Sequence, residues 1–203
     1  MNTIRHRYFI VHKPHSMLSQ FIGTDKGRML GELNYPFPEG THAIGRLDYE
    51  SEGLLLLTTN KKVTRLLFQG EVPHKRSYLV QVRGIVTEET LLQLQSGIAI
   101  RVKGGVDYTT APCQVQLAQA PQGLPELPHD LNPYVKSSWL RIVLTEGKFH
   151  QVRKMVRSVN HRCLRLVRVA IEDIDLDLQN QPPGTVREIE ESAFFSQLCI
   201  NNW

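Results

Sequence analysis

The chain has 203 residues, 41% of them hydrophobic and 22% charged, enough length to bury a proper core as one large domain or two lobes. Its longest apolar runs, Leu54 to Leu57 and Ile142 to Leu144, are far shorter than a membrane span, and no apolar signal core follows Met1 to Arg7, so a cytoplasmic protein with no membrane partner is expected. Cys113, Cys163 and Cys199 are odd in number and widely spaced, which fits neither a disulfide framework nor a zinc ligand set. The net charge of +4 is mild but unevenly placed. Positions 147–170 carry Lys148, Arg153, Lys154, Arg157, Arg162, Arg165 and Arg168 without an acid, whereas 171–191 reverse the sign. One face is built for a polyanion.

In chain order, Tyr8 to His12 reads as a strand ending at Lys13-Pro14. Leu54 to Thr59 is an apolar run with a β-compatible end, followed by a short helical pattern in Val63, Leu66 and Leu67. Tyr78, Val80 and Val82 alternate with polar residues, the period of a strand with one buried face. Thr87 to Ser96 predicts a helix capped by Thr87, with Glu88 and Glu89 in its first turn and Gly97 as terminator. The prolines Pro121, Pro125, Pro128 and Pro133 make 118–138 a long loop. Trp139 to Thr145 and Leu164 to Ile171 read as strands. Between them, Val152, Met155, Val156 and Val159 recur at helical spacing and leave Arg153, Lys154 and Arg157 off the apolar stripe. No regular βαβ alternation is present, so the expected class is α+β with a largely antiparallel sheet.

The chemistry concentrates in Gly45-Arg46-Leu47-Asp48-Tyr49-Glu50-Ser51-Glu52-Gly53-Leu54-Leu55-Leu56-Leu57. An aspartate in a polar loop directly before an apolar strand can be held rigidly, which suits a catalytic group. Taken alone, such an Asp is more often a turn or cap residue.

The whole string closely resembles the signature of the pseudouridine synthases, in the branch that modifies bacterial ribosomal RNA. Arg76-Ser77-Tyr78-Leu79-Val80 and Glu146-Gly147-Lys148-Phe149-His150-Gln151-Val152-Arg153-Lys154-Met155 resemble two further motifs in the right order, and His12-Lys13-Pro14 with Ser16 to Phe21 resembles the first. The resemblance covers roughly residues 7 to 178. It implies a pseudouridine synthase fold, two lobes around a central RNA-binding cleft, and one catalytic domain over 1–203 with 179–203 as a C-terminal tail. Many relatives begin with an S4-type RNA-binding domain, which is not expected here; the E-type synthases of this branch also lack it. Glu172 stands where the family commonly has glycine.

The resemblance further implies that Asp48 is the catalytic carboxylate in converting uridine to its C-glycoside isomer, which needs no cofactor and no metal. Arg153 is the candidate to pair with Asp48 and fix its direction. Tyr78 would offer an aromatic face to the uracil and a hydroxyl for proton traffic. Arg46, beside the carboxylate, would enter the space left by a flipped base. Lys13, Lys148, Lys154, Arg157 and Arg162 are candidate RNA backbone contacts, and Arg76 and Gln151 complete the substrate-binding set. His12, His42, His150 and His161 show no metal-ligand spacing. The expected partner is ribosomal RNA, with 23S rRNA favoured, and the expected state is a monomer. Three other readings stay open: a synthase acting on another RNA, a non-catalytic rRNA-binding or assembly protein, and a glycoside hydrolase. The last would need a second acid opposite the first, and a basic face suits RNA better than neutral sugar.

Overall fold

The computed structural model describes residues 5–24, 26–68, 72–127, 134–201 and 203. β1 (Tyr8–Lys13) is buried at every position and leads to the short parallel pair β2 (Met17–Leu18) and β3 (Arg28–Met29), then to β4 (His42–Ile44). β5 (Glu52–Thr58) carries the apolar run, and α1 (Val63–Phe68) buries Val63 and Leu67 one turn apart. After β6 (Arg76–Arg83) and α2 (Glu88–Gln95) come the hairpin β7 (Ala99–Arg101) and β8 (Asp107–Thr109), then β9 (Gln114–Ala118) and β10 (Ser137–Leu144). The chain closes with α3 (Gln151–Ser158), β11 (Cys163–Ile171), β12 (Ile174–Asp175), β13 (Val186–Ile189) and α4 (Glu191–Gln197). No helix among the described residues is long and apolar enough to cross a membrane.

Among the described residues nine strands form one mixed sheet, in the order β13-β1-β5-β11-β6-β10-β9, with β12 on β11 and β4 on β5. Every pairing in it is antiparallel except β5 with β11, where Arg168 stands opposite Gly53. Gly53 has φ +100, and a Cβ there would lie 2.2 Å from the Arg168 carbonyl oxygen. Only glycine lets β11 come this close, so the glycine of the Asp48 motif is set by the sheet seam.

β5 is apolar without alternation because both of its faces are covered. Tyr8, Ile10, Leu54 and Leu56 pack with α1 and with Phe194 and Phe195, while Phe9, Val11, Leu55 and Leu57 pack with Met17, Leu30 and Leu47. The other half of the sheet sets Val80, Val82, Leu140 and Ile142 against Leu94 of α2 and Val152, Met155 and Val156 of α3. The α+β class and the largely antiparallel mixed sheet are as expected. Thr87 caps α2 by accepting from the Thr90 N–H, and Gly97 ends the turn at φ +92.

The C-terminal segment differs from expectation. Residues 179–203 are more than a tail: β13 pairs with the outer edge of β1, and α4 buries Phe194 and Phe195 completely. Their apolar signal is too short to stand out from the acidic residues around it. The loop after β9 is irregular over 119–127, with Pro128 and Pro133 outside the described residues. It is pinned by Arg165, whose Nη1 donates to the Pro125 carbonyl at 2.9 Å. The same guanidinium makes a buried bidentate pair with Glu52 at 2.5 and 3.0 Å, so the Glu52 carboxylate is committed to the fold.

Candidate active site

Asp48 lies in the turn between β4 and β5, and both of its flanks are clamped. The Ser19 hydroxyl donates to the Leu47 carbonyl at 2.8 Å and accepts from the Leu47 N–H at 3.0 Å, while the Ser51 N–H donates to the Asp48 carbonyl at 3.0 Å. Leu47 itself is buried in the core. At Gly45 the chain turns with φ +73 beneath Phe68, where a Cβ would lie 2.7 Å from the ring. The carboxylate is left about one-third exposed.

Two cationic or potentially cationic side chains face it. Arg153 Nε stands 4.0 Å from Asp48 Oδ2, and His150 Nε2 stands 3.4 Å from Oδ1. Arg153 also donates from Nη2 to the Glu50 carbonyl at 3.0 Å and the Ser51 hydroxyl at 3.3 Å, so one planar fork ties α3 to the Asp48 turn. The thiol of Cys163, 3.7 Å from Arg153 Nη1, is pushed up to about 11 by burial despite that neighbour. It packs as a neutral thiol. His150 occupies the left-handed region at φ +55 just before α3, and its ring stacks on Phe149 with centroids 3.8 Å apart.

Asp48 opens into a cavity of about 750 Å³ lined by residues from both halves of the sheet. Its walls include Arg46 and Asp48 from the β4–β5 turn, Phe68 from α1, Arg76 and Tyr78 from β6, residues 144–152, and Arg168 from β11. Six of the residues singled out in the sequence therefore share one wall: Arg46, Asp48, Arg76, Tyr78, Lys148 and Gln151. The guanidinium of Arg76 lies 5.0 Å over the Phe68 ring, and the ammonium of Lys148 lies 4.5 Å over the Tyr108 ring.

Other expectations need correction. Lys13 cannot contact an RNA backbone, since it is fully buried and donates to the carbonyls of Met17 at 2.6 Å and Pro14 at 2.9 Å. The Gln151 amide is committed internally: its Nε2 donates to Glu146 Oε1 at 2.6 Å and its Oε1 accepts from the Lys148 N–H at 2.8 Å. Glu146 also accepts from the Tyr108 hydroxyl and the Ala111 N–H, so this network shapes the 146–150 loop instead of offering free groups to a substrate. Lys154 lies 5.3 Å over the Phe149 ring, and Arg157 and Arg162 line a separate concavity of about 600 Å³ with Arg153, Asn160, His161 and Cys163.

Sequence reasoning missed His150, Glu146 and Arg168. In sequence His150 shows no metal-ligand spacing and receives no role, although its place beside Arg153 in the third motif is a usable signal. Arg168 looks like one more surface cation; it is 3% exposed, stands opposite Tyr78 across the β6–β11 pair, and donates from Nε to the Leu54 carbonyl at 2.8 Å. Among the described residues no group of three or more His, Cys, Asp or Glu side chains is placed to hold a metal ion.

A clamped carboxylate, faced by Arg153 and His150 at the edge of a cavity beside a continuous mixed sheet, marks the site. A crystal structure of a pseudouridylate synthase superposes on 97% of this chain and 76% of its own, with a TM-score of 0.75 at 22% identity, which establishes the shared fold. The profile of the family described as RNA pseudouridylate synthase matches residues 7–158. The chain belongs to that family, and it is accordingly an RNA-binding isomerase that converts uridine to pseudouridine. It is 36% identical over 170 residues to the ribosomal large subunit pseudouridine synthase E of Xanthomonas axonopodis pv. citri, covering 83% of this chain and 87% of that one. With the protein of the same description from Vibrio parahaemolyticus it shares 34% over 188 residues, 91% and 74% of the two chains. With the ribosomal large subunit pseudouridine synthase B of Bacillus subtilis it shares 30% over 183 residues, 90% and 67% of the two.

Proposed function

We propose that this chain isomerises one uridine of 23S ribosomal RNA, with Asp48 as the catalytic carboxylate, Arg153 as its orienting partner and Tyr78 as the aromatic wall of the base pocket. The observation that carries the reading is the placement of Asp48: a clamped carboxylate at the mouth of the cavity, faced by Arg153 at 4.0 Å and His150 at 3.4 Å. The RNA class is taken from relatives, whose descriptions name the large ribosomal subunit. The protein works as a monomeric single catalytic domain in the cytoplasm, without metal or cofactor.

In the reaction the N1–C1′ bond breaks, the uracil turns within the pocket, C5 bonds to C1′, and the C5 proton leaves. Nothing is oxidised and no group is imported. Reaching a sugar in paired RNA requires the nucleotide to leave its stack, and Arg46, exposed at the mouth beside Asp48, is placed to fill the gap. Arg76 and Lys148 line the same wall, with Lys154, Arg157 and Arg162 extending the cationic surface for phosphates.

The test is Asp48→Asn. Tritium release from a 23S rRNA fragment bearing 5-tritiated uridine should fall to background, RNA binding should persist, and stability should change by no more than about 1 kcal/mol. Retained tritium release would refute the assignment. The rRNA-binding or assembly reading predicts instead that this variant keeps its full biological effect.

A further inference from the structure

Among the described residues, Phe149 is the most exposed aromatic side chain on the wall of the Asp48 cavity, with 60% of its surface open to solvent. A lone exposed apolar side chain is ordinary; this one is set apart by how firmly it is mounted. His150 covers one face of the ring, with centroids 3.8 Å apart and planes 20° from parallel. The loop that carries both rings is fixed by Glu146, which accepts from the Tyr108 hydroxyl, from the Ala111 N–H at 3.1 Å and from the Gln151 amide at 2.6 Å. The Lys148 N–H closes the loop on Gln151 Oε1 at 2.8 Å. His150 takes a left-handed φ of +55 within it, a conformation that a non-glycine residue keeps where its surroundings impose it. A rigid loop thus presents a large aromatic ring to solvent.

The charges around the ring say what would cover it. The Lys154 ammonium lies 5.3 Å over the Phe149 ring, Lys148 precedes the ring in the chain, and Arg157 follows Lys154 by one turn of α3. An aromatic face flanked by cations matches the two parts of an unpaired nucleotide, whose base stacks while its phosphate meets the charge. An apolar peptide would use the ring and leave the cations unmatched. The position of the ring says which nucleotide this is. His150 Nε2 stands 3.4 Å from Asp48 Oδ1, so Phe149 lies one stacked ring outward from the side chain that faces the carboxylate. The target nucleotide must bring its C1′ to Asp48 and its base into the cavity, which leaves the Phe149 ring at the rim for a neighbour.

We propose that Phe149 is the stacking platform for an unpaired base beside the target uridine, with Lys154 moving from the ring to that nucleotide's phosphate. This rests on the pseudouridine synthase reading above and extends it from the target to the nucleotide next to it. Stacking on an aromatic ring accepts every base. The platform therefore selects RNA in which the neighbour can leave its own stack, as in a loop or bulge, over a continuous duplex.

The test is equilibrium binding of the 23S rRNA fragment and of a set of abasic versions, each lacking one base at the target or at a flanking position. All proteins carry Asp48→Asn, which keeps the RNA unconverted. On the intact fragment Phe149→Ala should weaken affinity by about 10- to 100-fold, and Phe149→Trp, which restores an aromatic face, should bind like the parent. One flanking abasic RNA should weaken the parent by a similar factor, and on that RNA Phe149→Ala should cost nothing further, because the two losses describe one contact. Parent-like affinity of Phe149→Ala on the intact fragment would overturn the proposal, as would an undiminished loss on every flanking abasic RNA. A loss that vanishes only when the target base is missing would also overturn it, since the ring would then hold the target itself. Failure of the underlying reading shows separately, as protein with Asp48 intact that binds the fragment and forms no pseudouridine.

Discussion

Glu172 holds a backbone conformation, φ +47, that costs a non-glycine residue about 1 kcal/mol or more. Its side chain offsets the cost by accepting the Lys75 N–H at 2.6 Å and facing His74. Glu172→Gly removes the strain and the hydrogen bond together, so denaturant melts should place it within about 1 kcal/mol of wild type. Glu172→Ala keeps the strain and loses the bond, and should be less stable by about 1 to 2 kcal/mol. At Arg153 the same residue-scale logic bears on activity. A lysine there keeps the charge but cannot reach Asp48, the Glu50 carbonyl and the Ser51 hydroxyl from one planar group. Arg153→Lys should therefore lower kcat by about tenfold or more with little change in KM, and a variant of wild-type turnover would remove Arg153 from the mechanism.

Among the elements, α4 makes a contribution out of proportion to its seven residues. Phe194 and Phe195 close the face of β1 around Tyr8, with ring centroids 4.6 and 5.4 Å away. Large apolar side chains in such a setting contribute both transfer energy and packing. Phe194→Ala should lower unfolding stability by about 3 to 5 kcal/mol, read as a fall in melting temperature, without changing activity per folded molecule. α3 divides its labour by face: Val152, Met155 and Val156 fill the second core, and Arg153 reaches back to the Asp48 turn. A helix of eight residues thus joins the packing of one sheet half to the chemistry of the other.

At the scale of the whole molecule, buried titratable groups on β1 and just beyond it tie stability to pH. Burial pushes the Lys13 ammonium down to about 7, with Glu52 and Asp48 pulling the other way, and burial also lowers His12 and His15. In the unfolded chain lysine keeps its proton to about 10.5, so from pH 7 to 10.5 the unfolded state binds more protons and stability rises with pH. Below about 6.5 the histidines act in the same sense, being protonated in the unfolded chain first. Tyr8 works against this at high pH: burial raises it to about 12, and the stability it contributes is lost as pH climbs from 10. Denaturant midpoints at constant ionic strength should rise from about pH 7 to about pH 9 and fall above about 10, and Lys13→Met should flatten the rise.

Much of this protein is specified locally. The apolar run of β5, the alternation of β6, the Thr87 cap and the helical stripe of α3 depend on neighbours in sequence, so these elements are legible from the order of residues alone. The same holds for Asp48, because its turn and the strand that anchors it are contiguous. What lies beyond sequence depends on distant partners. Lys13 reads as a surface cation, yet it is internal because β1 is covered on both faces, and its donors meet the carbonyls of Pro14 and Met17. Gln151 reads as a free amide until Glu146 takes it. His150 and Arg168 acquire meaning only when α3 and β11 fold back against the Asp48 turn and β5. Residue type and period specify which face of an element is apolar; which buried polar group finds a partner is decided by the long-range pairing of strands.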